Sequence, residues 1–587
     1  MTFSLVFDCD TLKRLHVETS GSTAVDFELC GGSWIVGAMG FRNGITGNDF
    51  LRLLGSKQHN AEDLYGYLTS AAYQYSVVYY DEVKKKLYVF KDFSGCEPCY
   101  YSFSGSRLVI SGSLSQVVSI IGFPVLDAAA AFQFVYFEMP RKPLTLYKGV
   151  YSFLNECTYT LDEIGQVFHV EDMFRFPKED DSSTDLAGLR NCIARSHADR
   201  IGSSNGIYLS GGIDSQVMAI SLKQDIGLDN VIAYNFSVKG AGQTEVRDAQ
   251  HVANSLSLEF HHVVVDPDEE IDFYQRFALM NSPYLGSLSL AKILSEIDTK
   301  KEMTLFGGQD TRLHTPALTK SDILYWKANR LMHPLFPQIA VLPAQFISSL
   351  CRRVSHSDKL DRLSRLLANV PSPPKFLAYR SFHLHGYDYI VEKLEKSQSF
   401  NDLVKSLEQI DFRDFRTSYN AIVKENWRRQ YLFDIEYMIE TTRCGGHQCV
   451  LPFYDKNLAL ESSKLNFKLA TKFTKGRAGH GRKRVSVNKY FLRKAYQGDL
   501  DNSLIYRDKA VCPTSYMFFN GGLAFYVEVF INDNSLLGTP LGDALSIEEI
   551  ITMARRKHRK WGPQDNSFLV SLFNAMVVES INRRVTN

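Results

Sequence analysis

Over the first ~175 residues, apolar and polar positions alternate in short runs broken by turn residues, the period expected of half-buried strands. Ser76-Val77-Val78-Tyr79-Tyr80-Asp81 and Lys86-Leu87-Tyr88-Val89-Phe90 read as a hairpin. Tyr100-Tyr101-Ser102-Phe103 and Leu108-Val109-Ile110-Ser111 read as a second strand pair, reached through the turn Asp92-Phe93-Ser94-Gly95. Ala128 to Phe137 reads as a helix, which Pro140 to Pro143 ends. Phe176 to Ser183 is polar and carries a proline, so a domain boundary is predicted there, dividing 1–178 from 179–587. Beyond it the period changes. A helix over Asp185–Arg195, a strand at Ile207–Leu209, a helix from Gln216, a strand at Val231–Phe236 and a helix over Thr244–Leu256 follow in turn. Strands at Phe260–Val265 and Thr304–Phe306 continue the alternation. Strand–helix alternation of this kind predicts an α/β doubly wound parallel sheet with helices on both faces and ligands at the carboxyl ends of its strands. From about Lys320 onward the chain reads as mostly helical.

Bulk composition narrows the class of partner. With 587 residues the chain exceeds what one core usually holds. It is 45% hydrophobic and 22% charged with a formal net charge of +1, which argues against a general nucleic-acid binder. No apolar run approaches the ~18 residues a membrane span needs. The first apolar run carries Asp8 and Asp10, unlike a secretory signal. Ten cysteines over this length do not make a disulfide scaffold, so a reducing cytoplasm is the expected setting. Cys96-Glu97-Pro98-Cys99 has redox or zinc spacing but no second pair beside it, and is expected to be a turn with buried cysteine.

The stretch Tyr208-Leu209-Ser210-Gly211-Gly212-Ile213-Asp214-Ser215 joins an apolar strand to a helix. Such a turn can close backbone N–H groups and hydroxyls around phosphate oxygens, with the helix N-terminus adding partial positive charge. It lacks the Gly-Lys-Ser/Thr of a Walker A loop. The plain alternative is a strand-to-helix turn in which Asp214 and Ser215 are caps. The pattern Ser-Gly-Gly-x-Asp-Ser resembles the pyrophosphate loop of ATP pyrophosphatases, which split ATP between its α- and β-phosphates. That resemblance implies that Ser210, Gly212 and Ser215 hold pyrophosphate, that Leu209 and Gly211 belong to the same nucleotide site, and that Asp214 holds Mg²⁺.

The wider chain resembles the asparagine synthetase superfamily. Lys91-Asp92-Phe93-Ser94-Gly95-Cys96-Glu97-Pro98-Cys99-Tyr100-Tyr101 is similar to the Arg-Asp-x-x-Gly-x-x-Pro-Leu-Tyr-Tyr of its glutaminase-type domain, implying an α+β Ntn-hydrolase-like sandwich. Glutamine-hydrolysing members begin Met-Cys-Gly, whereas this chain begins Met1-Thr2-Phe3-Ser4, so a degenerate glutaminase is expected, with Thr2 a remote candidate nucleophile. Asn235-Phe236-Ser237-Val238 resembles the strand lining adenine and ribose, and Gly308-Gln309-Asp310 resembles a second glycine–aspartate turn. Asp214 and Asp310 are thereby implied as paired Mg²⁺ ligands, a number of carboxylates that suits Mg²⁺ with phosphate oxygens. Glu245, Arg247 and Asp248 fall on the helix where the family keeps acidic residues; a solvated face is the other reading. Pro452-Phe453-Tyr454-Asp455 matches a structural turn. Lys489-Tyr490-Phe491-Leu492-Arg493-Lys494-Ala495, with Arg507-Asp508-Lys509 after it, resembles a family motif whose last lysine reaches the α-phosphate. Lys509 is thus the implied catalytic cation and Arg507 a positioning residue.

Two departures affect the proton acceptor. Gly307 and Gln448 stand where relatives carry acidic residues or Tyr, so the Glu–Tyr pair of the β-lactam synthetase branch is not transferable; His447, Arg443 or a substrate group remain open as acceptors. Lys472 to Arg484 is a basic, glycine-containing stretch, either a solvated loop or a lid over phosphates or groove for an acidic peptide. Arg555 to Lys560 reads as the end of a surface helix. The resemblance implies an ATP- and Mg²⁺-dependent amide ligase that adenylates a carboxylate. Its expected partner is a precursor peptide cyclised as lasso peptide cyclases do, with a leader peptidase beside it, and neither nucleic acid nor membrane. An asparagine synthetase, or a tailoring amidotransferase using ammonia, is the alternative; a non-catalytic scaffold is the third.

Overall fold

The computed structural model describes residues 2–308, 398–408, 433–505, 522–557 and 566–586, except 21–22, 43–44, 55–59, 123–124, 138–139, 162–167, 174–184, 241–243, 267–285, 298–300, 466–472, 476–483 and 487–488. The first part holds eleven strands among the described residues: β1 (Thr2–Asp8), β2 (Lys13–Ser20), β3 (Ala24–Glu28), β4 (Trp34–Phe41), β5 (Ala72–Asp81), β6 (Lys86–Lys91), β7 (Tyr100–Ser104), β8 (Arg107–Ser111), β9 (Val150–Ser152), β10 (Cys157–Leu161) and β11 (Phe168–Asp172). They form two antiparallel sheets, ordered β2-β1-β8-β7-β9 and β11-β10-β6-β5-β4-β3. Both expected strand pairs are present, β5 with β6 and β7 with β8.

The sheets face each other. Phe3, Leu5 and Phe7, spaced by two along β1, pack with Trp34, Val36 and Ala38 of β4 and with Val78 and Tyr80 of β5. The outer face of the six-stranded sheet is covered by α1 (Gly47–Leu54) and α2 (Ala61–Ala71), through Phe50, Leu54, Leu64 and Leu68 against Ile35, Met39, Val77 and Tyr79. The other sheet is covered by α3 (Leu114–Ile121) through Leu114, Val117 and Val118. Strands buried on both faces need not alternate, which explains the continuous Val77-Val78-Tyr79-Tyr80 run. The alternating pattern predicted only strands and turns here; α1, α2 and α3 correct it. The expected helix is α4 (Ala128–Phe137). Cys96 and Cys99 lie in a buried turn, and burial pushes both thiols up to about 12, so neither behaves as a reactive thiolate.

The second part begins with α5 (Leu186–Ala198), then β12 (Asn205–Tyr208), α6 (Ile213–Ile220), β13 (Val231–Val238), α7 (Thr244–Ser255), β14 (Glu259–Val265), α8 (Gly286–Ser295) and β15 (Thr304–Phe306). Later come α9 (Gln398–Glu408), α10 (Phe433–Cys444), β16 (Gln448–Val450) and α11 (Lys456–Ser463). The five strands form one all-parallel sheet ordered β14-β13-β12-β15-β16. Leu189, Val217 and Ala249 of α5, α6 and α7 cover one face; Leu290, Ile293, Ile435 and Ile439 of α8 and α10 cover the other. The predicted doubly wound sheet is therefore present, with β16 added from a stretch read as helical.

After α11 the backbone forms an antiparallel ribbon of β17 (Phe473–Lys475) and β18 (Arg484–Ser486), then α12 (Tyr490–Ala495), α13 (Asn502–Ile505), α14 (Gly522–Asn532), α15 (Pro540–Leu545), α16 (Ile547–Lys557) and α17 (Asn566–Thr586). The α17 side chains Phe568, Leu572, Met576 and Val577 share a core with Phe134 and Val135 of α4, and Asn574 donates to the Phe134 carbonyl at 2.8 Å. The predicted boundary at 176–183 lies outside the described residues. Among the described residues no helix is long and apolar enough to cross a membrane.

Candidate functional site

Strand order locates the site. The chain moves from β12 through β13 to β14 on one side, while β15 and β16 lie on the other. The carboxyl ends of β12 and β15 therefore flank the point where the order reverses, the crevice in which open α/β sheets bind ligands. The Ser210–Ser215 loop leaves β12 there, and Gly307-Gly308 leaves β15. The two turns touch. A Cβ at Gly308 would stand 2.9 Å from the Ser215 nitrogen and 3.0 Å from its Cα.

Loop hydrogen bonds fix its shape. The Ser215 hydroxyl accepts from the Ser210 N–H at 3.0 Å and lies 2.8 Å from the Ser210 carbonyl and 3.1 Å from that of Gly212. The Ser210 hydroxyl accepts from the Gly212 N–H at 3.1 Å. Gln216 donates through Nε2 to the Gly211 carbonyl at 3.0 Å, and its backbone N–H donates to Gly212 at 3.1 Å, opening α6. Thus Ser215 acts first as an internal staple. Gly212 is extended, with φ −80° and ψ 149°, so its lack of a side chain serves space rather than a left-handed turn; a Cβ there would lie 3.1 Å from the Ser210 hydroxyl. The first-turn N–H groups of α6 lack intrahelical acceptors and, with the helix dipole, make its start a seat for an anion.

Asp214 sits in that first turn, one-fifth exposed, and its Oδ2 receives the Lys489 ammonium. This contact links residues 275 apart in sequence. The carboxylate thus already holds a positive charge at the start of α6. Asp310, Arg507 and Lys509 lie outside the described residues. Leu209 serves by its backbone, donating its N–H to the Tyr234 carbonyl at 2.9 Å and accepting from Asn235 Nδ2 at 2.7 Å; its side chain is in the core. Val238 closes β13 with its side chain buried beside Val265, so only its backbone remains for a ligand. Glu245 and Asp248 are half-buried on α7, and Arg247 is exposed.

Neither protein candidate for proton acceptor reaches the loop. His447 precedes β16 and Gln448 pairs in register with Thr304, both at the amino end of the sheet, opposite the loop. Burial lowers the His447 pKa, and its Nδ1 is held by the Met303 N–H at 3.3 Å. Arg443 is bound to buried Glu97 at 2.6 Å, which raises its pKa and rules it out as a base. Gly307 itself offers no side chain to act as one.

Comparison with known proteins agrees with this geometry. The sequence pattern of the asparagine synthase family matches residues 189–295, the stretch that builds α5, β12, the loop, α6, β13, α7, β14 and α8. A probable glutamine-hydrolysing asparagine synthetase of Acanthamoeba polyphaga mimivirus is 24% identical over 214 residues, covering 35% of this chain and 37% of that protein. Residues 189–295 are similar to an asparagine synthase domain. The match thus spans little more than a third of that relative's length. Among solved structures, a Bacillus subtilis glutamine phosphoribosylpyrophosphate amidotransferase complexed with ADP and GMP overlaps at 8% identity, covering 54% of this chain and 77% of the other, with a TM-score of 0.20. A structure titled as the allosteric regulatory enzyme of purine biosynthesis overlaps at 9% identity, covering 46% and 74%, also at 0.20. Those scores are too low to define a shared overall fold.

The Gly308 contact yields a test. Gly308→Ala pushes a methyl group into the backbone of Ser215, which cannot rotate away, so the loop shifts. ATP affinity measured by calorimetry is expected to fall about ten- to a hundredfold, the scale of small misplacements in organised sites. Unchanged affinity would show that Gly308 does not support the loop.

Proposed function

We propose that the chain is an ATP-dependent, AMP-forming amide ligase that adenylates a carboxylate for attack by an amine. The observation that carries this is the serine–glycine loop at the switch point of the parallel sheet, capped by a helix N-terminus and carrying Asp214 in contact with Lys489. In this reading the loop N–H groups seat the pyrophosphate portion of ATP, and Lys509 stabilises charge at the α-phosphate. Asp214 and Asp310 would hold Mg²⁺, which when bound offsets the charge of the leaving pyrophosphate. The helix–sheet–sheet–helix order of the first part supports reading it as an Ntn-type, glutaminase-like unit, with 179–587 as the synthetase unit.

We further propose that carboxylate and amine belong to one precursor peptide, freed by a partner peptidase and cyclised as lasso peptides are. Two observations support it. Among the described residues, neither Gly307 nor the remote His447 supplies the loop with a base, and a tethered amine gains an effective molarity that makes one less necessary. The β17–β18 ribbon, which frames the basic stretch, ends three residues before Lys489, at most about 11 Å of chain from the Asp214 contact. A ribbon so placed suits a ligand larger than an amino acid. The test is mass spectrometry of a candidate precursor incubated with ATP, Mg²⁺ and this protein, with its peptidase. The expected product is the peptide minus one water, with AMP in equal amount. Efficient conversion of aspartate and ammonia to asparagine, with peptides unchanged, would favour the small-acid alternative.

A further inference from the structure

The outer face of the six-stranded sheet turns polar at one end. Along it, Val77 and Tyr79 of β5 and Tyr88 and Phe90 of β6 pack with the side chains of α1 and α2. Lys91 pairs in register with both Ser76 and Cys157, and the ladder runs one step further. There the Asp92 N–H donates to the Tyr75 carbonyl at 3.1 Å and the Glu156 N–H to the Asp92 carbonyl at 2.9 Å. Tyr75, Asp92 and Glu156 therefore stand side by side on the outer face, as cross-strand neighbours do. All three are buried.

Their partners do not balance. Glu156 accepts from the Tyr65 hydroxyl of α2 at 2.8 Å and from the Lys456 ammonium at the start of α11. Asp92 Oδ2 accepts from the N–H and the hydroxyl of Ser94. Asp92 Oδ1 and the Tyr75 hydroxyl have no hydrogen-bond partner. Burial and then the charges of Glu156 and Asp92 push the Tyr75 pKa up, which places its oxygen beside both carboxylates. Cations nearby are engaged elsewhere: Arg42 with Asp199, Arg200 with Asp455, and Lys91, on the opposite face of the sheet, with the Ser76 hydroxyl at 2.8 Å. Two carboxylates thus share one ammonium, and the corner carries one negative charge over. Burying such a charge is costly unless something compensates it.

We propose that this corner binds one monovalent cation, an alkali ion or ammonium, among Asp92 Oδ1, the Tyr75 oxygen and the Glu156 carboxylate. A bridging water would satisfy the two bare atoms and leave the charge. One positive charge balances the corner, and donors that are all oxygen suit a hard ion. Among the described residues no three His, Cys, Asp or Glu side chains converge, as a tighter divalent site would ask. The row belongs to the first part of the chain and Lys456 to the second, where Asp455 and Arg200 hold the start of α11. An ion there relieves the repulsion between Asp92 and Glu156, and so steadies the contact Glu156 makes across the two parts. The inference is independent of the proposed ligase reaction.

Thermal unfolding of the full chain at one ionic strength tests it, in chloride salts of K⁺, Na⁺, ammonium and the bulky tetramethylammonium. With at least one of the three small cations the midpoint is expected to lie about 2–4 °C above that in tetramethylammonium, rising with concentration to saturation. The cation that gives the gain identifies the ion. Tyr75→Phe, which removes one oxygen and keeps the ring, should reduce the gain by about half or more. Asp92→Asn should abolish it, and in tetramethylammonium that variant should unfold no earlier than the unaltered protein, because it buries no uncompensated charge. Equal midpoints for the unaltered protein in all four salts would show that water or a proton serves the corner, and would overturn the proposal. A gain retained in full by both variants, or stabilisation by Mg²⁺ or Ca²⁺ alone, would overturn it as well.

Discussion

Asp214→Asn is expected to lower Mg²⁺-dependent conversion of ATP to AMP and pyrophosphate by at least about a hundredfold, the cost of removing one preorganised electrostatic group from such a site. The substitution changes charge and little else. Asparagine has the same shape, and the Ser210–Ser215 staple and the Gln216 contact with Gly211 involve other atoms, so α6 keeps its start. What disappears is the carboxylate that holds Lys489 and, in the proposed reading, Mg²⁺. The unfolding midpoint should move little, since a partly exposed pair contributes little to stability. Product analysis of single turnovers checks this; full activity in the variant would remove Asp214 from the chemistry.

Arg443→Met is expected to cost about 3–5 kcal/mol of stability, because it strands Glu97 as a buried charge without its partner. Glu97 is 1% exposed and lies between buried Cys96 and Cys99, while Arg443 lies at the end of α10 in the second part. Gln74 Nε2 alone would remain on the Glu97 carboxylate, at 2.8 Å. Neighbouring contacts tie the same two parts together: Lys142 to Glu436 at 2.9 Å, Gln448 Nε2 to the Tyr73 hydroxyl at 3.0 Å, and the Arg200 guanidinium 4.7 Å above the Tyr73 ring. The interface is thus built from buried polar pairs whose partners come from distant sequence. Urea denaturation is the measurement. Adding Glu97→Gln to Arg443→Met should restore much of the loss, because it removes the stranded charge; an equal loss in single and double variants would show that packing, not charge, matters at that position.

These contacts mark the limit of what the sequence discloses. Elements with a strong period were legible, as β5 with β6, α4, β13 and β15 show. The serine–glycine loop was legible because its residues are contiguous and its neighbours carry the strand-to-helix switch. Short elements were not. The three residues of β16 give no period of their own and gain strand geometry only by pairing with β15. The helices α1 and α2 were hidden among strands whose double-sided burial had already blurred the alternation. Ser215 was expected to face phosphate, but a sequence motif cannot show that its hydroxyl closes on the loop's own carbonyls. Glu97 stood inside a cysteine motif that drew attention to the wrong side chains. Lys489 was visible as part of a motif, yet its contact with Asp214 depends on how α12 packs against the α6 region.

In the proposed function this loop serves cleavage of ATP between its α- and β-phosphates. Exchange of labelled pyrophosphate into ATP tests it most directly, with purified protein, Mg²⁺ and carboxylates offered both as free aspartate and glutamate and as precursor peptide. Label is expected to enter ATP only when Mg²⁺ and an accepted carboxylate are present, and this exchange is expected to be lost in Asp214→Asn. Release of ADP and phosphate, with no label entering ATP under any of these conditions, would contradict it.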